Sequence, residues 1–186
     1  MSDTIRFRKM AVDELERIRD IDREEVIRVG YQQDGDQLIR MDVDWDTPNW
    51  GRGEGEHTHT RIIRFAKHYL ETGATAIGAF AGDRLAGIAI YQPEVEESMG
   101  QLALMHVSRE FRRLGIAARL FEDVLRLSQT AGDARLYVSA TPSGSAVGFY
   151  LSRGFRPTAT PHPELLAEEP EDIHMILELA DTEPAS

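Results

Sequence analysis

In Val107-Ser108-Arg109-Glu110-Phe111-Arg112-Arg113-Leu114-Gly115-Ile116-Ala117, an apolar run gives way to a short charged loop and then to a helix. The preceding residues, Gln101-Leu102-Ala103-Leu104-Met105-His106-Val107, are almost continuously apolar and read as a central strand covered on both faces. Beyond Arg109-Glu110-Phe111 a helix is predicted from near Leu114, burying Ile116, Leu120, Phe121, Val124 and Leu127 and stopped by Gly132. The loop between carries Arg112-x-x-Gly115-x-Ala117. Successive N–H groups at such a turn, with the orphan donors and dipole of the helix start, make a site for a pyrophosphate. The small Gly115 and Ala117 let a ligand approach the main chain. Arg109, Arg112 and Arg113 add local positive charge that suits a polyanion. Taken alone, the same stretch is equally a strand–loop–helix joint with solvated arginines. It is neither a GxGxxG dinucleotide fingerprint nor a Walker loop, and neither occurs elsewhere in the chain.

About thirty residues on, Ser143-Gly144-Ser145-Ala146-Val147-Gly148-Phe149-Tyr150-Leu151-Ser152-Arg153-Gly154-Phe155 follows a predicted strand, Ala134 to Ala140. The pair of motifs, Arg112 to Ala117 and then Ala146 to Phe155, resembles the GNAT superfamily of acetyl-CoA-dependent N-acetyltransferases. Those proteins combine an R/QxxGxG/A loop with a downstream AxxFYxxxGF helix. The order of elements fits over roughly residues 5 to 179, and the specific motif similarity is confined to about residues 101 to 157.

The resemblance implies a cosubstrate, acetyl-CoA, and places for its parts. The pantetheine arm would lie like an added strand between two parallel strands that splay apart, usually at a β-bulge. Met105 and Val107 would offer it backbone groups. Main-chain N–H groups of Arg112, Arg113, Leu114, Gly115, Ile116 and Ala117 would cradle the pyrophosphate. Ser143 stands where many members have a cofactor-contacting Asn; its hydroxyl is shorter but still donates and accepts. Tyr150 matches the general acid, a phenol protonated at neutral pH that can hand its proton to the departing thiolate. The competing reading of Tyr150 is a core aromatic beside Phe149.

A substrate amine would attack the thioester directly, since without Cys there is no acyl-cysteine intermediate. With a pKa near 10, an amine is only about one part in a thousand neutral at pH 7, so a base should help. Some members carry Glu or His where this chain has Gln101, or His where it has Ala103, and neither residue here accepts a proton. His106 differs in parity from 101, 103 and 105 and is read as facing away, as a packed structural histidine. Glu96 and Glu97 form an acidic loop. The base is left unassigned.

Working outward, Ile5 to Met10 reads as a strand, and Leu15, Ile18 and Ile21 recur at helical spacing. From Gly30 to Glu56 the pattern dissolves, a long loop of the functional kind. Thr58 caps a helix with the stripe Ile62, Phe65, Ala66, Tyr69 and Leu70, ended by Gly73. Ala74 to Ala81 and Arg84 to Tyr91 make a hairpin around Gly82-Asp83. Pro161 to Asp172 reads as an acidic connector, and His174 to Leu179 as the last strand. The predicted fold is therefore α/β (α+β), GNAT-like and three-layered, with a mixed sheet of six to seven strands and helices on both faces. One N-acetyltransferase domain is expected over 1–180, with 181–186 a flexible tail and 30–56 building the acceptor site. In that region Asp42, Asp44 and Asp46 alternate near Trp45 and Trp50, which suits either a cationic amine or a solvated loop. Glu54, Glu56, His57 and His59 sit in too flexible and Gly-rich a setting for a structural metal.

Composition narrows the function. The 186 residues carry a formal net charge of −11 and no cysteine. That removes disulfides, Cys-based zinc sites, iron–sulfur clusters and thiol nucleophiles. The acidic balance argues against general nucleic-acid binding. No apolar run reaches the ~18 residues of a membrane span, and the N-terminus lacks a signal-peptide layout, so a cytoplasmic home is expected. The expected function is acetyl transfer to a primary amine of a small, cationic molecule in a ternary complex. The competing readings are a non-catalytic acyl-CoA-binding sensor or partner domain and a protein or peptide N-acetyltransferase. A homodimer through the edge of the C-terminal strand is also envisaged.

Overall fold

The computed structural model describes residues 4–179. The expected tail at 181–186 lies outside the described residues. Nine strands are described: β1 (Ile5–Lys9), β2 (Glu25–Asp34), β3 (Gln37–Thr47), β4 (Thr75–Ala81), β5 (Arg84–Glu96), β6 (Met99–Val107), β7 (Arg135–Ala140), β8 (Arg156–Pro157) and β9 (Ile173–Glu178). Between them lie α1 (His59–Glu71), α2 (Ile116–Ala131), α3 (Gly144–Ser152) and α4 (Pro163–Glu168). The stretch Val12–Asp20, expected as a helix, is a 3-10 helix that buries Leu15 and Ile18.

Seven strands form one mixed sheet in the order β1-β4-β5-β6-β7-β9-β8. The β6–β7 pair is parallel and the other pairs are antiparallel. One face packs on α2 and α3 through Leu120, Phe121, Val124, Val147 and Phe155. The other packs on α1 and the 3-10 helix through Leu15, Ile18, Ile63 and Ala66. Three layers with helices on both faces follow from these two apolar stripes, as the sequence predicts. The caps follow too: Thr58 accepts the Arg61 N–H at 3.2 Å, and Gly73 takes φ +102°.

Four expectations change. The segment read as a structureless loop from Gly30 is largely a two-stranded hairpin of β2 and β3, separate from the main sheet. Its strands expose much of both faces, and the apolar–acidic alternation is confined to Met41 to Asp46 on β3. Cross-strand pairs such as Arg28–Asp44, and Gly35 at φ +61° in the turn, hold it together. The acidic connector contains α4, which begins with Pro163 at its first turn and buries Leu165. The helix expected from Leu114 starts at Ile116, leaving Leu114 exposed. The C-terminal strand is not the sheet's edge, because β8 pairs with β9 at Met175 and Ile176. A dimer through that edge therefore loses part of its docking line.

Candidate active site

The site grows from an interruption in the sheet. β6 and β7 pair only at Met99–Gln101 with Arg135–Tyr137. Beyond those residues β6 runs on to Val107 and β7 to Ala140 without pairing, so a gap opens between two parallel strands. Across β6, Ile90 faces Leu104 while Tyr91 faces Leu102, leaving Ala103 as an extra residue. This is a β-bulge, and it turns the strand at the point where the gap begins. The Ser108 N–H donates to Ala86 O at 2.8 Å, so alternation along the strand aims the backbone groups of Met105 and Val107 away from β5 and into the gap.

The bulge also overturns the parity reading of His106. Leu102 belongs to the core under α2, whereas Ala103 and Leu104 pack on the α1 side. Past the extra residue, His106 shares a face with Gln101, whose side chain accepts the Tyr69 hydroxyl from α1 at 3.4 Å. The His106 ring meets Trp50 edge-on at 4.9 Å. Burial, then the charges of Arg23 and Arg112, push its pKa down to about 4, so it is neutral at pH 7.

At the mouth of the gap, Arg113 and Gly115 both take left-handed φ angles, +63° and +78°. The reversal turns consecutive N–H groups to one side. Among the described residues, no N–H from Arg113 to Ala118 has a hydrogen-bond acceptor, and the first bond back is Arg119 N–H to Gly115 O. Such a concave row of donors at a helix start fits a diphosphate. The Arg112 side chain is occupied differently: Nε donates to Val107 O at 3.3 Å and Nη1 to Glu24 O at 2.9 Å, tying the loop to β6 and to the start of β2. Arg109 pairs with Glu24. Arg109 and Arg113 are exposed, and Arg112 is half-buried.

Between loop and gap lies a cleft of about 270 Å³, lined among others by Arg23, Ile27, Met105, Ala117, Ser143 and Tyr150. Tyr150 is 6% exposed, packed against Phe149 and Phe155, and its hydroxyl makes no hydrogen bond among the described residues. Burial first, and then the charge of Asp172, raise its pKa well above the phenol range. The proton stays on at any ordinary pH. Ser143 is 2% exposed and caps α3, its Oγ accepting the Ala146 N–H at 3.2 Å. It borders the cleft with that hydroxyl already engaged.

Other expected residues are not gathered here. Asp42 and Asp44 are solvent-exposed and paired with Arg40 and Arg28. Trp45 covers Gly30 on the hairpin, while Trp50 is buried in the α1 core. Glu96 lies beside Arg135 where β6 and β7 are still paired, and Glu97 is exposed nearby. Among the described residues no three His, Cys, Asp or Glu side chains converge as a metal site. Residues that sequence reasoning missed are Arg23, Glu25, Ile27 and Thr47, which wall the cleft from the hairpin side.

The family described as acetyltransferase (GNAT) domain matches residues 52–179. A solved nourseothricin acetyltransferase superposes with a TM-score of 0.68 at 16% identity, covering 94% of this chain and 98% of its own. A Bacillus anthracis protein solved with acetyl coenzyme A bound gives 0.69 at 12% identity, covering 96% and 99%. The ribosomal-protein-S18-alanine N-acetyltransferase of Escherichia coli gives 0.60 at 17% identity, covering 98% and 100%. No curated protein matches the chain in sequence.

Proposed function

Because the chain belongs to the GNAT acetyltransferase family, an acyltransferase family that uses acetyl-CoA, we propose that it acetylates a primary amine of a small, cationic acceptor by direct attack in a ternary complex. The observation that carries this reading is the hydroxyl of the largely buried Tyr150, without a protein hydrogen-bond partner among the described residues, in a cleft that continues into the row of unpaired amides.

In this reading the N–H groups from Arg113 to Ala118 hold the pyrophosphate, and Arg112 stiffens their loop. The backbone of Met105 and Val107 pairs with the pantetheine amides, as a missing strand would. Bound acetyl-CoA supplies an activated acyl carbon. Tyr150 keeps its proton until the sulfur leaves, then gives it up. With no cysteine in the chain, no acyl-cysteine forms. The formal charge of −11 favours a cationic acceptor. No helix among the described residues is long and apolar enough to cross a membrane, and a cytoplasmic site of action is part of the proposal.

The test is release of CoA thiol from acetyl-CoA in the presence of spermidine, L-lysine, an aminoglycoside and a peptide with a free α-amine. Turnover on the small polyamines is expected, and preference for the peptide would favour a protein acceptor instead. Tyr150→Phe should lower kcat more than tenfold with KM for acetyl-CoA little changed. Gln101 and Ala103, which leave the start of β6 without a base, favour the alternative of a non-catalytic acyl-CoA-binding module. That alternative predicts stabilisation by CoA with no thiol released on any amine.

A further inference from the structure

Where the chain enters β2 it walls the cleft with an alternating row. Arg23, Glu25 and Ile27 line the same cleft as Tyr150. Two-residue spacing in an extended chain puts their side chains on one face. Arg23 and Glu25 are half-buried and Ile27 is buried, whereas the alternate residues Glu24, Val26 and Arg28 are exposed. The row therefore offers the cleft a cation, an anion and an apolar side chain, in that order.

Charges on the two faces are satisfied differently. On the outer face, Glu24 pairs with Arg109 at 3.0 Å and Arg28 pairs with Asp44. On the cleft face, no ion pair among the described residues involves Arg23 or Glu25. Arg23 is nevertheless held in place. Its Nε donates to Pro48 O at 3.1 Å, and its guanidinium carbon lies 5.2 Å from the centre of the Trp50 ring. Neither Nη atom has an acceptor among the described residues. A planar fork fixed at its base, with its outer donors free in a cleft, matches a carboxylate. A half-buried cation without a countercharge is costly, and an arriving anion relieves that cost.

The direction of the row leads towards the reacting end. Arg23 stands over Trp50, whose other neighbour is the His106 ring. From there β2 runs to α3, where Gly30 bridges Ser143 and Val29 lies against Gly144. Tyr150 is carried by α3. A molecule with a charged head at Arg23 and Glu25 therefore meets Ile27 along its aliphatic stem, with Tyr150 ahead of it in the cleft.

We infer that the acceptor is an aliphatic diamino acid, the class to which lysine belongs, with its α-carboxylate on Arg23, its α-ammonium on Glu25 and its side-chain amine as the group acetylated. This rests on the acetyl-transfer reading above and narrows its acceptor class. A small molecule that carries a carboxylate and is still cationic needs two amino groups. A polyamine can satisfy Glu25 but leaves the Arg23 fork empty, so it is the poorer substrate.

The test compares kcat/KM, read by thiol release, for L-lysine, for cadaverine, which is lysine without its carboxylate, and for Nα-acetyl-lysine, which lacks the α-ammonium. Wild type should prefer lysine about thirtyfold over cadaverine and about tenfold over Nα-acetyl-lysine, and should give Nε-acetyl-lysine from lysine. Arg23→Gln should shrink the first preference to within about threefold, with the KM for acetyl-CoA and the melting shift induced by CoA unchanged. Glu25→Gln should shrink the second preference in the same way. Equal use of lysine and cadaverine by wild type, acetylation at the α-nitrogen, or an undiminished preference in either variant overturns the inference and leaves acetyl transfer standing. So does a rise in the KM for acetyl-CoA that matches the rise for lysine in Arg23→Gln, which would put the guanidinium on a cosubstrate phosphate. Failure of the wild-type protein to release thiol with any amine overturns the acetyl-transfer reading, and this inference with it.

Discussion

Tyr150 and Asp172 show how one burial produces two opposite chemical dispositions. Taking a phenol out of water keeps its proton on, and taking a carboxyl out of water brings its affinity for a proton into the neutral range. The same shift has a stability signature. A carboxyl whose folded pKa is raised binds its proton more tightly in the folded state, so stability is fullest below the unfolded value near 4 and is lost as pH rises through about 7. Asp172→Asn should therefore melt above wild type at pH 8, by about 1–3 kcal/mol or ~3–8 °C at this chain length, with the gap closing towards pH 4. Thermal melts at the two pH values check it. The two residues differed in legibility. Tyr150 was readable because a short helical motif surrounds it, while Asp172 was not, since its place follows from the pairing of its neighbour Ile173 with Ala140, over thirty residues earlier. The facing of His106, though not its packing, was misread because one extra residue at Ala103 reverses parity, and nothing in an apolar run marks which residue is extra.

Among the elements, the loop before α2 was the most legible, because a left-handed backbone position requires a residue like Gly115. An added Cβ there meets no neighbour within 4 Å, so a substitution acts through φ alone. Gly115→Val should cost about 1–3 kcal/mol of backbone strain or displace the donor row, weakening CoA binding roughly tenfold or more by calorimetry. The β2–β3 hairpin was the least legible element. Its apolar row is short, Met41, Val43 and Trp45 on β3 alone, and its docking depends on the close approach that Gly144 allows. At Gly144, a Cβ would lie 3.0 Å from Val29 Cβ and 3.3 Å from Val29 O. Gly144→Ala should push β2 off α3, lowering the melting temperature by ~2–6 °C. It should also raise the KM for the acceptor more than that for acetyl-CoA.

At the scale of the whole molecule, two cores on opposite faces of a seven-stranded sheet hold β6 and β7 apart at one end while pairing them at the other. The layers were readable from helical and strand periodicity. The edges were not, since the two residues of β8 that cover β9 are too few to show a period. A molecule with an unfilled strand position at its centre should be stabilised by what fills it. CoA at about a hundred times its dissociation constant is expected to add about 2.7 kcal/mol, or ~5–10 °C. The most direct measurement is a CoA titration followed by backbone amide chemical shifts. The amides of Met105, Val107 and Arg113 to Ala118 should move together and saturate at one concentration. CoA that binds while those amides stay still, or that does not bind at all, would contradict it.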